Sequence, residues 1–309
     1  MDTGSESDIL KKIHDIQKEI ELFYITRVIP KVFKRRVRKT WHFKEWWIAP
    51  MNYVRIVELP LSMYLLEAER KAKILDISSA KLLSFFLGVN GFSDITMSDL
   101  SDFFVEDFKI YSEEFGFSPE LKVFDATDIP FANDSFDRVF SISVLEHIAD
   151  DGDRKITDEV TRILKPGGLF VVTLPAGNVY SEEWLRKQDF PWSSKIREDG
   201  RIFFQRRYDY RAVEERFTGR GLEIEDCIFI AEKPIKEPQL NDNGRLLFNY
   251  YYLEDFMLIK LLKKVKHVAK IPLLLYAAYR YYSSRLQYLT RDRNDKNIRE
   301  VAVKLRKQK

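Results

Sequence analysis

Apolar and polar positions alternate along the middle of the chain in blocks that predict strands separated by helices. Short apolar runs recur between residues 73 and 232, and apolar residues at helical spacing fill the intervals between them. This alternation predicts an α/β fold with a doubly wound, mostly parallel, Rossmann-like sheet. The predicted strands are residues 73–77, 94–98, 121–124, 136–142, 167–174 and 222–232, and the predicted helices are residues 80–88, 101–115, 155–164 and 208–219.

Basic and aromatic segments flank this middle part on both sides. Residues 27–44 contain eight Lys and Arg and no acid, and residues 249–309 contain fifteen Lys and Arg against five acids. Because the whole chain has a net charge of +3, this tail carries +10 and the preceding part −7. We expect a helical, basic N-terminal extension at 1–60, an α/β domain at 61–235 and a basic, amphipathic helical C-terminal extension at 236–309.

Composition predicts a globular protein of a reducing compartment. Hydrophobic residues make up 45% of the chain and charged residues 32%, and a single cysteine excludes a disulfide framework. No apolar run has the length of a membrane-spanning helix, and the first residues are too polar for a secretory signal. We therefore expect a cytoplasmic location.

Three carboxylates stand at the ends of the first three predicted strands. Asp76, Asp99 and Asp125 would gather at the carboxyl edge of a doubly wound sheet, where ligands bind. Asp99 is placed to accept hydrogen bonds from both hydroxyls of a ribose, and Asp125 to bind a ring amine. Each acid alone fits a cap of the following helix or turn equally well, but the three together favour a nucleoside site.

Two longer stretches carry a resemblance to a known family. Residues 124–148 read FDATDIPFANDSFDRVFSISVLEHI, and residues 159–175 read EVTRILKPGGLFVVTLP. The order and separation of Ile-Pro-Phe, Phe-Asp, Leu-Glu-His and Leu-Lys-Pro-Gly-Gly resemble the class I S-adenosylmethionine-dependent methyltransferases, in their small-molecule, type 11-like branch. The resemblance covers residues 73–232 and implies a methyltransferase whose cofactor is S-adenosylmethionine.

The resemblance also implies a role for individual residues. Asp99 would hold the ribose and Leu100 would pack on the adenine face. Asp125 and the backbone of Ala126 would read the adenine, and Ser141 would line the site beside the fourth strand. The methionine end would be held by Asp76 and by the turn that contains Ser78, Ser79 and Ala80.

This turn departs from the family pattern. The usual Asp-x-Gly-x-Gly reads Asp76-Ile77-Ser78-Ser79-Ala80, so both glycines are replaced. A positive φ at Ser78 would cost about 1 to 3 kcal/mol. We expect Ser78 or Ser79 to cap the helix that begins near Ala80 and the free amides there to meet the cofactor's carboxylate, which gives a reshaped but working methionine pocket.

The acceptor side is less marked in the sequence. His147 is the best-placed general base for a hydroxyl acceptor, although a helix-face residue with a local hydrogen bond explains it as well. The long connection at 176–209 offers Tyr180, Trp184 and Tyr208 to the acceptor, and residues 51–60 form a lid in related enzymes, with Tyr53 and Arg55 as its contacts. The histidines share no metal-ligand spacing, so we expect no metal.

The predicted function is methyl transfer to a small-molecule or lipid- or saccharide-linked acceptor. A non-catalytic binding or scaffold protein is the alternative, motivated by the lost glycines, and an RNA methyltransferase is the third. The C-terminal extension fits helices packed on the core or on a second subunit. It also fits peripheral attachment to an anionic membrane at its inner face, and less well nucleic-acid binding.

Overall fold

Eight strands form one central sheet. The computed structural model describes residues 6–43, 46, 51–186, 195–233, 239–240, 246–247 and 271–309. The strands are β1 (Ile74–Ile77), β2 (Ile95–Asp99), β3 (Glu120–Val123), β4 (Phe136–Ile142), β5 (Leu164–Pro175), β6 (Ser181–Leu185), β7 (Ile202–Arg207), β8 (Leu222–Glu232), β9 (Gln239–Leu240), β10 (Leu246–Leu247), β11 (Gln287–Thr290) and β12 (Ile298–Lys307). The central sheet has the strand order β11-β8-β12-β5-β4-β1-β2-β3.

The first five strands are parallel, as predicted. β1 pairs with β2 and with β4, β2 pairs with β3, and β4 pairs with β5, all in parallel. β12 runs antiparallel between β5 and β8, and β11 runs antiparallel to β8. β6 and β7 form a separate antiparallel hairpin. The predicted doubly wound, mostly parallel α/β fold is confirmed.

Helices cover both faces of the sheet and bury two apolar layers. On one face, the helices before β1 and those between β1 and β3 pack against residues such as Ile74 and Met97. On the other face, the helices before β5 and β8 pack against Leu75 and Ile77. The helices are α1 (Glu6–Phe23), α2 (Ile29–Val32), α3 (Arg55–Leu66), α4 (Leu82–Val89), α5 (Phe103–Phe115), α6 (Gly152–Ile163), α7 (Tyr210–Phe217) and α8 (Ile271–Leu286).

The start of β5 shows how sequence sets the elements that border the site. α6 ends at Ile163, and Gly167 in the Pro-Gly-Gly turn has a φ of +79°. A side chain at Gly168 would lie 2.8 Å from the carbonyl oxygen of Lys165. Only glycines allow this tight passage from α6 into the buried strand β5.

The C-terminal end differs from the prediction of a helical extension at 236–309. β12 lies inside the sheet, and Val301, Val303 and Leu305 are fully buried. Its apolar residues alternate with the period of a strand. Of its basic residues, Arg299, Arg306 and Lys307 lie near its ends, whereas Lys304 lies inside the strand and is buried. α8 is helical, as expected, whereas residues 248–270 of the predicted amphipathic helices lie outside the described residues.

The N-terminal segment is helical, as predicted, and packs closely on the α/β domain. Lys34 and Arg36 of its basic stretch form ion pairs with Glu114 and Glu113 at the end of α5. α3 spans Arg55–Leu66, so the predicted boundary at residue 60 falls inside a helix. In the part of the chain that the structure describes, no helix has both the length and the apolar character to cross a membrane.

Candidate cofactor site

The sheet topology brings the three predicted acids to one edge. Asp76 lies in β1, Asp99 ends β2, and Asp125 follows β3 by two residues. Because β1, β2 and β3 are adjacent and parallel, all three stand at the carboxyl edge. They differ in exposure, since Asp76 is fully buried, Asp99 half-buried and Asp125 exposed.

Asp99 and Asp125 border an open surface. Asp99 accepts the amide of Ser101 with its Oδ1 at 3.0 Å. Asp125 accepts the amide and the hydroxyl of Thr127 with its Oδ1, both at 2.8 Å. Leu100 lies beside Asp99 with 63% of its surface exposed. Each acid thus has one carboxylate oxygen tied to its own turn and an apolar surface close by, which suits a ribose and a flat ring.

Two further predicted cofactor residues sit deeper. Ala126 is half-buried and packs on the apolar layer beside α6. Ser141 is fully buried in β4, and its hydroxyl donates to the carbonyl oxygen of Ile77 at 3.1 Å. In this structure Ser141 therefore joins β4 to β1, and it does not line an open surface as the resemblance implied.

The serine turn after β1 takes the conformation that glycine would favour. Ser78 has a φ of +53°, in the left-handed region. The Ser79 hydroxyl accepts the amide of Ile142 at 2.9 Å and so ties the turn to the end of β4. The expected cap is wrong: α4 begins at Leu82, after Lys81, and no side chain caps it. Ala80 is half-buried in the same turn.

Asp76 is engaged entirely within the protein. Its Oδ1 accepts the Ser79 amide at 3.0 Å and lies 3.3 Å from Nζ of Lys81, and its Oδ2 accepts the Ser84 hydroxyl at 2.5 Å. Lys81 is only 3% exposed, and its Nζ also donates to the carbonyl oxygen of Ser98 at 2.8 Å. The charge of this strand-end acid is therefore neutralised by a buried lysine.

A second group of acids lies at the same edge, beside β4 and β5. Glu58 of α3 is fully buried, and it accepts hydrogen bonds from the hydroxyls of Ser143 and Thr173 and pairs with Arg55. Glu146, in the 3-10 turn after β4, is 1% exposed. We call Glu58, Glu146 and Glu300, from the start of β12, the buried acidic cluster.

Burial shifts the titration of Glu146 and Glu300. Desolvation raises the pKa of Glu146 to about 8, and the negative charge of Glu58 adds to the rise while Arg55 opposes it. Desolvation and the charge of Glu58 also raise the pKa of Glu300. Among the described residues, Oε2 of Glu146 and Oε2 of Glu300 are buried without a hydrogen-bond partner. A buried carboxylate oxygen without a donor is costly, so it marks a place where a donor or a cation is missing.

The predicted acceptor residues His147, Tyr53 and Arg55 differ in their contacts with this cluster. His147 donates from Nδ1 to the carbonyl oxygen of Phe204 at 2.8 Å, because a carbonyl only accepts, and its Nε2 lies 3.6 Å from Oε1 of Glu146. Tyr53 is fully buried, and burial together with Glu232 raises its pKa. Arg55 contacts Glu58, within the acidic cluster.

The aromatic residues of the long connection pack mainly on protein. Tyr208 is fully buried and donates to Asp153 at 2.8 Å, with Tyr180 against its ring. Trp184 is largely buried in the β6–β7 hairpin, where it packs on Phe203. Of these three, Tyr180 is half-buried and the other two are buried, so Tyr180 alone offers a surface to an acceptor.

Several residues of this edge were not predicted as site residues. Lys81, Glu58 and Glu300 were missed, and Glu146 was read only as part of a motif. A lysine between the turn and the apolar run LLSFFL was a usable signal, since a buried lysine requires an anion. Glu300 gave no such signal because its strand was read as helical. Among the described residues, no group of three or more His, Cys, Asp or Glu side chains could hold a metal ion.

Comparison with known proteins identifies the domain that carries this edge. Residues 76–172 match the family model described as a methyltransferase domain. Residues 76–172 thus belong to a methyltransferase domain. Such a domain implies S-adenosylmethionine as the methyl donor. The match begins at Asp76 and extends through β5, so it contains Asp99, Asp125 and Glu146.

Curated relatives resemble short parts of this chain. A sterol 24-C-methyltransferase of Pneumocystis carinii (strain B80) is 35% identical over 91 residues, which are 28% of this chain and 22% of that protein. A tRNA (carboxymethyluridine(34)-5-O)-methyltransferase of Arabidopsis thaliana is 33% identical over 81 residues, 26% of this chain and 20% of that protein. The chain thus spans about a fifth of the length of these relatives.

Among solved structures, the [4+2]-cyclase SpnF is similar to this chain with a TM-score of 0.49 and 15% identity, over 82% of each chain.

The residues of the edge fit S-adenosylmethionine. Asp99 and Asp125 offer acceptors to the sugar and the base, beside the exposed Leu100. The buried Oε2 of Glu146, which has no hydrogen-bond partner among the described residues, offers an acceptor to a cationic end once Glu146 is ionised.

Proposed function

We propose that this chain transfers a methyl group from S-adenosylmethionine to a small-molecule acceptor, which includes acceptors linked to a lipid or a saccharide. The observation that carries the proposal is the placement of Asp99 and Asp125 on adjacent strand ends within a methyltransferase domain. Asp99 would accept the ribose hydroxyls, Leu100 would cover one face of the adenine, and Asp125 would accept its amine.

The cofactor supplies an electrophilic methyl group on a sulfonium, which an acceptor nucleophile takes by in-line displacement. The protein contributes mainly by holding the acceptor and by excluding water. For a hydroxyl acceptor, His147 would act as the general base. Its Nδ1 carries a proton for the Phe204 carbonyl, so Nε2 is its basic nitrogen, on the side of Glu146.

Two other functions rest on particular observations. A non-catalytic binding role is motivated by the serine turn and by the pairing of Asp76 with Lys81. An RNA acceptor is motivated by the basic stretch at 27–44, where Arg35, Arg38 and Lys39 are exposed, and by the similarity to a tRNA methyltransferase. Two of that stretch's cations, Lys34 and Arg36, are already paired with acids of α5, so we favour the small-molecule reading.

Equilibrium dialysis with radiolabelled S-adenosylmethionine tests the cofactor site. Asp99→Ala should weaken binding at least a hundredfold, because it removes the acceptor of two ribose hydroxyls. The matched control is Asp102→Ala, three residues along, since Asp102 is exposed and caps no helix with its side chain. Absence of binding to the wild-type chain at millimolar cofactor would overturn the proposal.

The acceptor class is tested by following the transferred label. Purified chain and methyl-tritiated cofactor are incubated with a cell extract, which is then separated into organic-soluble, small aqueous and RNA fractions. We expect label in the organic or small aqueous fraction and none with Asp99→Ala. Label in the RNA fraction alone would contradict the small-molecule reading, and no transfer to any fraction would favour the non-catalytic role.

A further inference from the structure

Asp76, near the end of β1, has no capacity left for a ligand cation. Both oxygens of Asp76 accept hydrogen bonds, from the Ser79 amide and the Ser84 hydroxyl, and the Lys81 ammonium neutralises its charge. The ammonium is itself fixed by the Ser98 carbonyl and by the ring of Phe104, whose centre lies 5.2 Å away. A second cation at Asp76 would face the buried positive charge of Lys81.

The neighbouring strand end offers the opposite situation. Glu146 is 1% exposed, and its Oε2 has no partner among the described residues. The charged groups that face it are Glu58 and Arg55 from α3, Glu300 from β12 and the adjacent His147. Arg55 already pairs with Glu58, so this edge has unmatched capacity for one further cation.

The two strand ends form one connected edge. β1 and β4 are adjacent and parallel, with Asp76 opposite Phe140. The Ser79 hydroxyl binds the amide of Ile142, the last residue of β4, and Glu146 follows four residues later. A ligand that reaches the serine turn is therefore within the same edge as Glu146.

We propose that Glu146, and not Asp76, is the anionic partner of the cofactor's cationic methionine end. Lys81 instead forms an internal ion pair with Asp76, and this pair shapes the serine turn. This inference rests on the proposed function. S-adenosylmethionine carries an ammonium and a sulfonium at that end, and either positive group compensates a buried carboxylate. The loss of both family glycines and the transfer of this role to Glu146 are then parts of one rearrangement.

Calorimetry of the full chain with three probes tests the inference. S-adenosylmethionine carries both positive groups, S-adenosylhomocysteine only the ammonium, and 5′-methylthioadenosine neither. Glu146→Gln should weaken binding of S-adenosylmethionine at least tenfold and change binding of 5′-methylthioadenosine less than twofold. S-adenosylhomocysteine should weaken to an intermediate degree if the sulfonium contributes, and as much as S-adenosylmethionine if the ammonium alone is bound.

Two controls separate the effect from general damage. Glu223→Gln, an exposed acid of β8, should leave all three affinities unchanged. Asp76→Asn should keep the preference for S-adenosylmethionine over 5′-methylthioadenosine, even if it weakens both. Loss of that preference in Asp76→Asn and its retention in Glu146→Gln would overturn the inference.

The inference can also be tested on the wild-type chain, so that the result does not depend on the folding of a variant. Glu146 must ionise to bind a cation, so the preference for S-adenosylmethionine over 5′-methylthioadenosine should rise about tenfold or more from pH 6 to pH 7.5. If the preference for S-adenosylmethionine did not change with pH, the inference would be overturned. Binding of both probes would still support the cofactor site. Failure of all three probes to bind the wild-type chain would overturn the proposed function itself.

Discussion

At the scale of single residues, the serine turn stores backbone strain at the carboxyl edge of the sheet. Ser78 has a φ of +53°, and Ser143, after the neighbouring strand β4, has a φ of +50°. Ser78→Gly should raise the free energy of unfolding by about 1 kcal/mol, because glycine adopts this conformation without steric cost. Urea denaturation measures the change. Ser93→Gly, in an exposed loop without a positive φ, should instead be neutral or destabilising. Equal effects of the two would contradict the strain at Ser78.

The ion pair behind this turn is a second residue-scale device. Lys81→Met should lower the free energy of unfolding by about 3 kcal/mol, because it leaves a buried carboxylate without its counter-charge. Lys18→Met is the matched control, since Lys18 pairs with Asp15 on the surface and should change stability by less than about 0.5 kcal/mol. The double variant Asp76→Asn with Lys81→Met should recover most of the loss in a double-mutant cycle, and strict additivity would contradict a direct pair.

At the scale of elements, β12 connects β5 to β8 within the sheet. Leu305 is fully buried between β5 and β8, so Leu305→Ala should lower the free energy of unfolding by about 3 kcal/mol in chemical denaturation. Leu22→Ala, at a leucine of α1 with 61% of its surface exposed, should cost less than about 0.5 kcal/mol. A cost at Leu305 no larger than at Leu22 would mean that β12 contributes little to the core.

The same strand shows where sequence patterns were sufficient and where they were not. The predicted bounds of β4 and β8 match the structure, because their apolar runs end at clear turn residues. β12 was missed because the strongly basic residues around it favoured a solvated helix, although its apolar residues alternate. Asp99 and Asp125 could be placed from sequence because strand ends define them. Glu58 could not, since its partners are known only once α3 packs on the sheet. For Lys81 the sequence offered a signal for burial beside an anion, but not which acid it pairs with.

At the scale of the whole molecule, three distant parts of the chain build the acidic cluster. Glu58 comes from the helix before the sheet, Glu146 from the middle of the methyltransferase domain and Glu300 from the last strand. The predicted extensions are therefore parts of the site region: residues on both sides of the matched domain supply two of its three buried carboxyls. The buried acidic cluster is therefore complete only when both flanking parts pack on the sheet.

This cluster should make the stability of the folded chain depend on pH. Glu146 keeps its proton in the folded protein up to a pKa of about 8, whereas an unfolded glutamate loses it near about 4.3. Between these values the unfolded state binds fewer protons, so stability falls as pH rises from about 4.3 to 8. The wild-type chain should therefore lose more free energy of unfolding between pH 5 and pH 8 than Glu146→Gln does, as measured by urea denaturation at both pH values. Glu223→Gln should follow the wild type, because Glu223 is exposed. If Glu146→Gln lost as much stability as the wild type over this range, Glu146 would be ionised in the folded protein, and its missing partner would have to be a cation already supplied by the chain.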